Sequence, residues 1–518
     1  MKLMAKAQYS DQRLDGLKKE KSLQNIFSTL REEIMTKRFY HNCIIARRSS
    51  YQTYHFSQFY KTNFDPGEEK EISRKFKSFV RNLNLTHLVE HENLELEPEI
   101  NIEEVRSALN SFQNNKTPGD DGFTKEFYET FFGLIGPALL DSLNAGLESG
   151  TLSISQRRGV ISLILKDENN LTTLSNWCPI TLLNVDYKIL AKVIAKRIGP
   201  VLPKLIHPDQ TGFIKVRFIG KNIRLLNDLM EYTDDQKVPE ILLFIDFEKA
   251  FDTMEWTFIQ NVLKCFNFGP VIRKWVSVLF KDVESAVMNG GYSTNYFKVS
   301  RGVRQGCPLS PLLFVLGVEI LAQKIRQSTS CRGILLPQSV EAKFSQFADD
   351  TTLICRDVNA LSENMNVLNK FSDISGLKLN KKKTKAMWIG SAKNNKTKPL
   401  GFKPYQERIK SLGVNLSYNQ DRNNNLNFFV KIHKMDTRLN MWQTRDLTLY
   451  GRTMLVKSLV ISKMRPPCLV FLKRLLKQFK IEYSNSCQWR NKKDKVKRAV
   501  IYQPFSQGGV NFTMSTLW

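Results

Sequence analysis

Two neighbouring carboxylates, Asp349 and Asp350, stand between two β-type segments, and nothing else in the chain constrains its fold as strongly. Lys343-Phe344-Ser345-Gln346 precedes Phe347-Ala348-Asp349-Asp350, and Thr351-Thr352-Leu353-Ile354-Cys355 follows. The pattern predicts a hairpin with the acids at its tip. Two ionised carboxylates repel by roughly 4 kcal/mol at about 4 Å and an effective dielectric of about 20. On an ordinary exposed turn water offsets that repulsion, and Asp suits turns on its own account. In a site that transfers phosphoryl groups, a divalent cation offsets it.

A second segment lies far upstream. Ile241-Leu242-Leu243-Phe244-Ile245 is a short apolar run bounded by charge, which predicts a buried central strand. It delivers Asp246 where the strand leaves the core, followed by Phe247-Glu248-Lys249-Ala250-Phe251-Asp252. A carboxylate there must be paired, hydrogen-bonded or metal-bound, because burying it bare is costly. If this strand lies beside the hairpin, Asp246 and Asp349 face one another across a strand pair. Two magnesium ions roughly 3.5–4 Å apart then fit between them. The competing reading makes Asp246 the cap of a helix that starts near Phe251.

Charge narrows the partners. The 518 residues include 77 Lys and Arg against 50 Asp and Glu, a net charge of +27. The excess is spread along the chain, which points to a polyanion, above all nucleic acid. A basic surface that serves solubility or touches anionic lipid is the bland alternative. The start of the chain lacks an apolar stretch suited to secretion, and the longest apolar run, Leu312 to Ala322, is too short for a bilayer and contains Glu319. We therefore expect an intracellular protein of nucleus or cytoplasm, neither secreted nor membrane-bound. Eight cysteines without a CxxC spacing read as reduced thiols, not as a zinc site or a disulfide frame.

Periodicity predicts helices over Leu14 to Thr36, near Lys70 to Leu85 and from about Asp186 to Arg197, and Ile100-Asn101-Ile102-Glu103-Glu104-Val105 reads as a helix start with acidic residues in its first turn. Val160 to Lys166 reads as a strand, and Lys116-Thr117-Pro118-Gly119-Asp120-Asp121-Gly122 as a turn. Strand-like and helix-like pieces alternate over 240–415, as in an α+β unit. From Phe428 the chain reads as helical and strongly basic. Between the two acidic segments lies Arg301-Gly302-Val303-Arg304-Gln305-Gly306-Cys307-Pro308-Leu309-Ser310-Pro311. Its glycines permit close backbone approach and Gln305 offers an amide, so the loop is a candidate wall of a nucleotide pocket.

The ordered set Phe244-Ile245-Asp246-Phe247-Glu248-Lys249-Ala250-Phe251-Asp252, then Arg304-Gln305-Gly306-Cys307-Pro308-Leu309-Ser310-Pro311, then Phe347-Ala348-Asp349-Asp350 resembles the palm of reverse transcriptases. More narrowly, the chain resembles those of non-LTR retrotransposons of the long-interspersed-element type. Asn114-Lys116-Thr117-Pro118-Gly119-Asp121-Gly122, Trp177-Pro179-Ile180-Leu182-Leu183-Asn184, Gly376-Leu377-Leu379-Asn380-Lys383-Thr384, Leu412-Gly413-Val414 and Trp442-Arg445-Leu447-Thr448-Leu449-Gly451-Arg452 support the likeness, which runs from about residue 100 to the end.

The resemblance implies an α+β right-hand polymerase with a helical N-terminal extension over 1–95. Fingers would occupy 96–238, a palm with an antiparallel sheet 239–418, a helical thumb 419–470 and a basic segment 471–518. Asp246, Asp349 and Asp350 would be the catalytic metal ligands for two Mg²⁺ ions, or Mn²⁺ in their place. Phe247, Phe251, Gln305, Gly306, Lys166 and Lys383 would line the deoxynucleotide site, Phe251 as the ring that leaves no room for a 2′-hydroxyl. Arg304, Arg445, Arg452 and Lys457 would touch nucleic acid. The implied partners are an RNA template, a DNA primer or target DNA, and dNTPs. A viral RNA polymerase is disfavoured by Phe251.

Departures from the family pattern are informative. Cys178 stands where the family usually has an arginine that meets the triphosphate, and Val216 stands where it generally has glycine. A thiol cannot replace a bidentate, permanently charged guanidinium. Lys166 would supply part of the missing charge. No endonuclease-like cluster is visible, so we expect the polymerase section of a longer element. The alternative is a weakened remnant that binds nucleic acid without useful polymerase activity.

Overall fold

The structure is a computed structural model and describes residues 66–165, 176–289, 292–402 and 408–418, with scattered positions from 422 to 455. Thirteen strands are described: β1 (Arg158–Leu165), β2 (Trp177–Leu183), β3 (Pro239–Ile245), β4 (Glu284–Asn289), β5 (Tyr292–Ser293), β6 (Phe297–Lys298), β7 (Ile334–Leu335), β8 (Glu341–Ala342), β9 (Phe344–Phe347), β10 (Asp350–Cys355), β11 (Lys385–Gly390), β12 (Ile409–Ser411) and β13 (Val414–Leu416). With helices on and between them they make a mixed α+β architecture.

The expected apolar run forms β3, the inner strand of an antiparallel sheet ordered β11-β3-β10-β9. Every residue from Glu240 to Ile245 is buried. A strand covered on both faces has no polar side to show, which is why its sequence runs apolar without alternation. Ile241, Leu242 and Leu243 are wholly buried, each stabilising the fold by roughly 1.5–3 kcal/mol. Pro239 takes the first strand position, where a missing N–H costs no ladder bond. The helix Ser310–Gln327, buried along most of its length from Leu313 to Ala322, belongs to the same core.

The other large sheet has the order β2-β1-β4-β5, with β6 on β4. Here β1 pairs antiparallel with β2 and parallel with β4, Arg158 to Ser162 lying beside Glu284 to Met288. Chain order therefore does not follow the sheets: β4, β5 and β6, inside the stretch assigned to a palm, belong to the sheet that β1 and β2 begin.

Helices occur where their signals lie. Asn101 caps Ile102–Asn110, its side chain accepting from Glu104 N–H while the Glu104 carboxylate accepts from Asn101 N–H. Val185–Ile198 follows, and Glu69–Val80 covers most of the Lys70 to Leu85 expectation. The helix expected over Leu14 to Thr36 lies outside the described residues, as does nearly all of the chain after Phe429.

Val216 has φ +71° and is 92% exposed. A β-branched residue in the left-handed region is strained and gains no packing there in return. This accounts for the glycine expected at the position. Val216→Gly is expected to raise stability by about 1 kcal/mol. Urea denaturation checks this, and an unchanged or lower midpoint contradicts it.

Candidate functional site

The acidic hairpin forms as expected. Phe347 pairs with Asp350, leaving Ala348 and Asp349 as a two-residue loop. On its other side β10 pairs with β3, Thr351 opposite Ile245. Continued by one residue, that register sets Asp350, not Asp349, opposite Asp246, and Asp349 lies at the turn beyond. The facing pair expected from sequence is shifted by one position. Asp246 and Asp349 nevertheless line one cleft of about 590 Å³.

Asp246 is fixed by backbone contacts. Its N–H donates to Thr384 Oγ1 (3.4 Å), its carbonyl accepts from Asn380 N–H (2.8 Å), and Phe247 bridges Leu379 in antiparallel fashion. The Gly376–Asn380 segment thus extends β3 past its end. The expectation that Asp246 caps a helix is not met, since Lys249 holds the N-cap position of Ala250–Thr253.

The carboxyls of Asp349 and Asp350 reach water, yet the protein around them withholds enough of it to raise both pKa values. Asp349 is raised first by this desolvation and then by the Asp246 charge. Asp350 is pushed up to about 6, first by desolvation and then by Asp349 and Asp246. Like charges thus crowd one end of the cleft, and a cation there would reverse both shifts. Among the described residues no group of three or more His, Cys, Asp or Glu forms a ready-made metal cage. Magnesium does not require one, because it is usually held by one or two carboxylates together with substrate phosphates and water. The donor set fits such an ion.

The Gly/Pro loop forms the opposite wall. Gly302 has φ +90°, and a Cβ there would stand 2.6 Å from Asp252 O. Gly306 has φ +110°, and its Cβ would stand 2.6 Å from Thr181 O. The loop is therefore wedged between Ala250–Thr253 and β2, and only glycine passes at both points. Gln305 accepts from Thr181 N–H through its backbone (3.0 Å) and donates its amide to Asp252 Oδ1 (3.4 Å), which turns the side chain along the cleft. The Phe251 ring stacks on buried Phe314, centroids 4.6 Å apart and 14° from parallel. This pair gives the cleft a flat, backed floor.

Several expected residues fall elsewhere. Arg304 is buried, its guanidinium donating to Arg157 O and to Glu284 O (3.3 Å) and lying over the Tyr187 ring. It ties Arg157, the residue just before β1, to β4 from inside and offers nothing to a phosphate, so its assignment to nucleic acid is withdrawn. Phe247 is buried at the cleft edge and Lys383 is exposed on it. Lys166, Arg445, Arg452 and Lys457 lie outside the described residues. Sequence reading missed Lys249, Arg301 and Lys378, cations that line the cleft. Lys249 carried a signal, being three residues from Asp246. Arg301 opens the loop read as a candidate pocket wall and Lys378 lies within the Gly376 to Asn380 likeness, but only the fold brings their charges to Asp246.

A family model described as reverse transcriptase (RNA-dependent DNA polymerase) matches residues 164–416, a range that contains all three acids and both walls. The chain is 32% identical over 374 residues to the transposon TX1 uncharacterized 149 kDa protein of Xenopus laevis, covering 71% of this chain and 28% of that protein. It is 26% identical over 232 residues to the retrovirus-related Pol polyprotein from type-1 retrotransposable element R2 of Popillia japonica, covering 45% and 32%. To its counterpart in Nasonia vitripennis the identity is 24% over 240 residues, covering 45% and 23%. The chain thus spans a third or less of the length of these relatives. On this likeness and on the placement of its acids, the chain belongs to the reverse transcriptases of non-LTR retrotransposons and carries their polymerase region.

Proposed function

We propose that this chain extends a DNA primer on an RNA template, adding deoxynucleotides to the primer 3′-hydroxyl. The observation that carries the reading is one cleft with Asp246 and Asp349 at one end, the Phe251 ring as floor and Gln305 as wall. Asp246, Asp349 and the adjacent Asp350 would hold divalent cations, Mg²⁺ first and Mn²⁺ as a substitute. When bound, the ions lower the pKa of the attacking hydroxyl and neutralise charge on the triphosphate and the leaving pyrophosphate. A neighbouring dication would lower the raised pKa values of Asp349 and Asp350 and so favour their ionised forms. Phe251, backed by Phe314, excludes a 2′-hydroxyl, and the Gln305 amide lies where a nucleotide edge would pass. Gly306 lets that wall approach closely, and Lys383 offers its charge at the rim.

In this reading 96–238 act as fingers, 239–418 as palm and 419–470 as thumb, with β4, β5 and β6 joining the finger sheet. Basic residues of 419–518, Arg445, Arg452 and Lys457 among them, grip an A-form duplex through its phosphates. Template, primer and dNTPs are the partners, and the setting is intracellular. No helix among the described residues is long and apolar enough to cross a membrane. Extension of a DNA primer on RNA, with Mg²⁺ and purified protein, tests the proposal.

A second reading rests on one residue. Cys178 lines the cleft, its Sγ 3.9 Å from Gln305 Oε1, where the family usually has arginine. A chain that binds nucleic acid but handles triphosphate poorly follows from that loss. Cys178→Arg is expected to lower KM for dNTP by about tenfold or more, the effect of one charge-assisted hydrogen bond. Steady-state titration with each dNTP measures it. An unchanged KM means that Cys178 is harmless and removes the second reading.

A further inference from the structure

The turn that carries Asp349 is held from behind by a segment outside the cleft. Ala348, 3% exposed, has φ +56° at the first position of its two-residue loop, a conformation that favours glycine. Gln210, wholly buried, turns its side-chain amide onto this one residue. Its Oε1 accepts from Ala348 N–H (3.0 Å), and its Nε2 donates to Ala348 C=O (3.5 Å). The same Oε1 accepts from Gly212 N–H (2.8 Å), which fixes the amide itself.

The segment is in turn tied to the strand before the turn and to its own loop. Gln346 N–H donates to Asp209 O (3.1 Å), and Thr211 N–H donates to Gln346 O (2.9 Å). The Arg217 guanidinium donates to four carbonyls, those of Pro203, Ile206, His207 and Gln210. A Cβ on Gly212 would stand 2.4 Å from Ala348 N, so segment and turn are in direct contact.

From this arrangement we infer that Gln210 is a positioning residue for polymerisation. Its amide satisfies both polar groups of Ala348, keeps that residue in the left-handed region, and so aims the next residue, Asp349, into the cleft. Arg217 keeps Gln210 in place. The inference rests on the polymerase reading above.

The test is steady-state extension of oligo(dT) on poly(rA) with dTTP and Mg²⁺, by the whole chain. Gln210→Leu is expected to lower kcat on the order of a hundredfold, the effect of a misplaced reacting group, with KM for dTTP changed less than about threefold. Glycine adopts positive φ unaided, so Ala348→Gly added to Gln210→Leu is expected to recover about tenfold. Should Gln210→Leu not fold, Gly212→Ala carries the same test, since it deletes no side-chain bond and pushes the turn from behind. A folded variant with kcat unchanged, a loss confined to KM, or a loss that Ala348→Gly leaves untouched overturns the inference. Wild type that adds no nucleotide overturns the polymerase reading instead, and so separates the two failures.

Discussion

Asp349→Asn is expected to lower primer extension by on the order of a thousandfold while template–primer binding persists. The size follows from several kcal/mol of charge stabilisation that bound cations supply and an amide cannot hold in place. The same change is expected to stabilise the fold at neutral pH, because it removes a carboxylate whose pKa desolvation and Asp246 hold above the ordinary value. Activity and stability therefore move in opposite directions, as they do where a site stores repulsion. Loss of activity with an unchanged or lower melting temperature in metal-free buffer at neutral pH contradicts the repulsion argument. Equal extension by the variant contradicts the ligand assignment.

The sign of the pH dependence follows from Asp350. Its folded value is about 6, against about 3.9 for an unfolded Asp. Between these two values the folded state binds the proton more tightly, so stability falls as pH rises through that window. Above the folded value the loss is complete. Without divalent metal, wild type should melt lower at pH 7.5 than at pH 5. Asp350→Asn should show a smaller difference, measured by thermal melts of the two proteins side by side. Glu240 and Glu319, both pushed up to about 7 chiefly by burial, add to the slope in each protein and cancel in the comparison.

The second large effect concerns the sugar. Phe251→Val is expected to reduce discrimination against ribonucleotides by about ten- to a hundredfold. Forcing a hydroxyl against a packed ring costs about 1–3 kcal/mol, and a smaller side chain removes that clash. The argument depends on Phe314, which stacks behind Phe251 and prevents the ring from yielding. Loss of the stacked pair should also lower stability by about 1 kcal/mol. Competition between dTTP and rUTP on one RNA template measures the ratio. A ratio equal to that of wild type would remove Phe251 as the selector.

What could be read from the sequence was local. Ile241 to Ile245 was apolar without alternation because β3 is covered on both faces, and the acids followed a strand–turn–strand pattern that needs no distant partner. The acidic residues Glu103 and Glu104 announced their helix for the same reason. Pairings between remote segments were not legible. β4 pairs in parallel with β1 across more than a hundred residues of sequence, and nothing local in Glu284–Asn289 names that neighbour. Arg304 beside Gln305 read as a surface cation, yet the loop turns it inward, where the backbone carbonyls of Arg157 and Glu284 receive it. The one-residue shift that sets Asp350 opposite Asp246 is likewise a matter of register, fixed by how β3 and β10 pack. Gln210 had no signal, because its role depends wholly on a turn that lies 138 residues away.

The most direct measurement is extension of a DNA primer on an RNA template by the purified chain, with Mg²⁺ present, removed by chelation, and restored. Deoxynucleotide addition that stops with the chelator and returns with the metal is the predicted result. A chain that holds the template–primer duplex yet adds no nucleotide in either Mg²⁺ or Mn²⁺ contradicts the account.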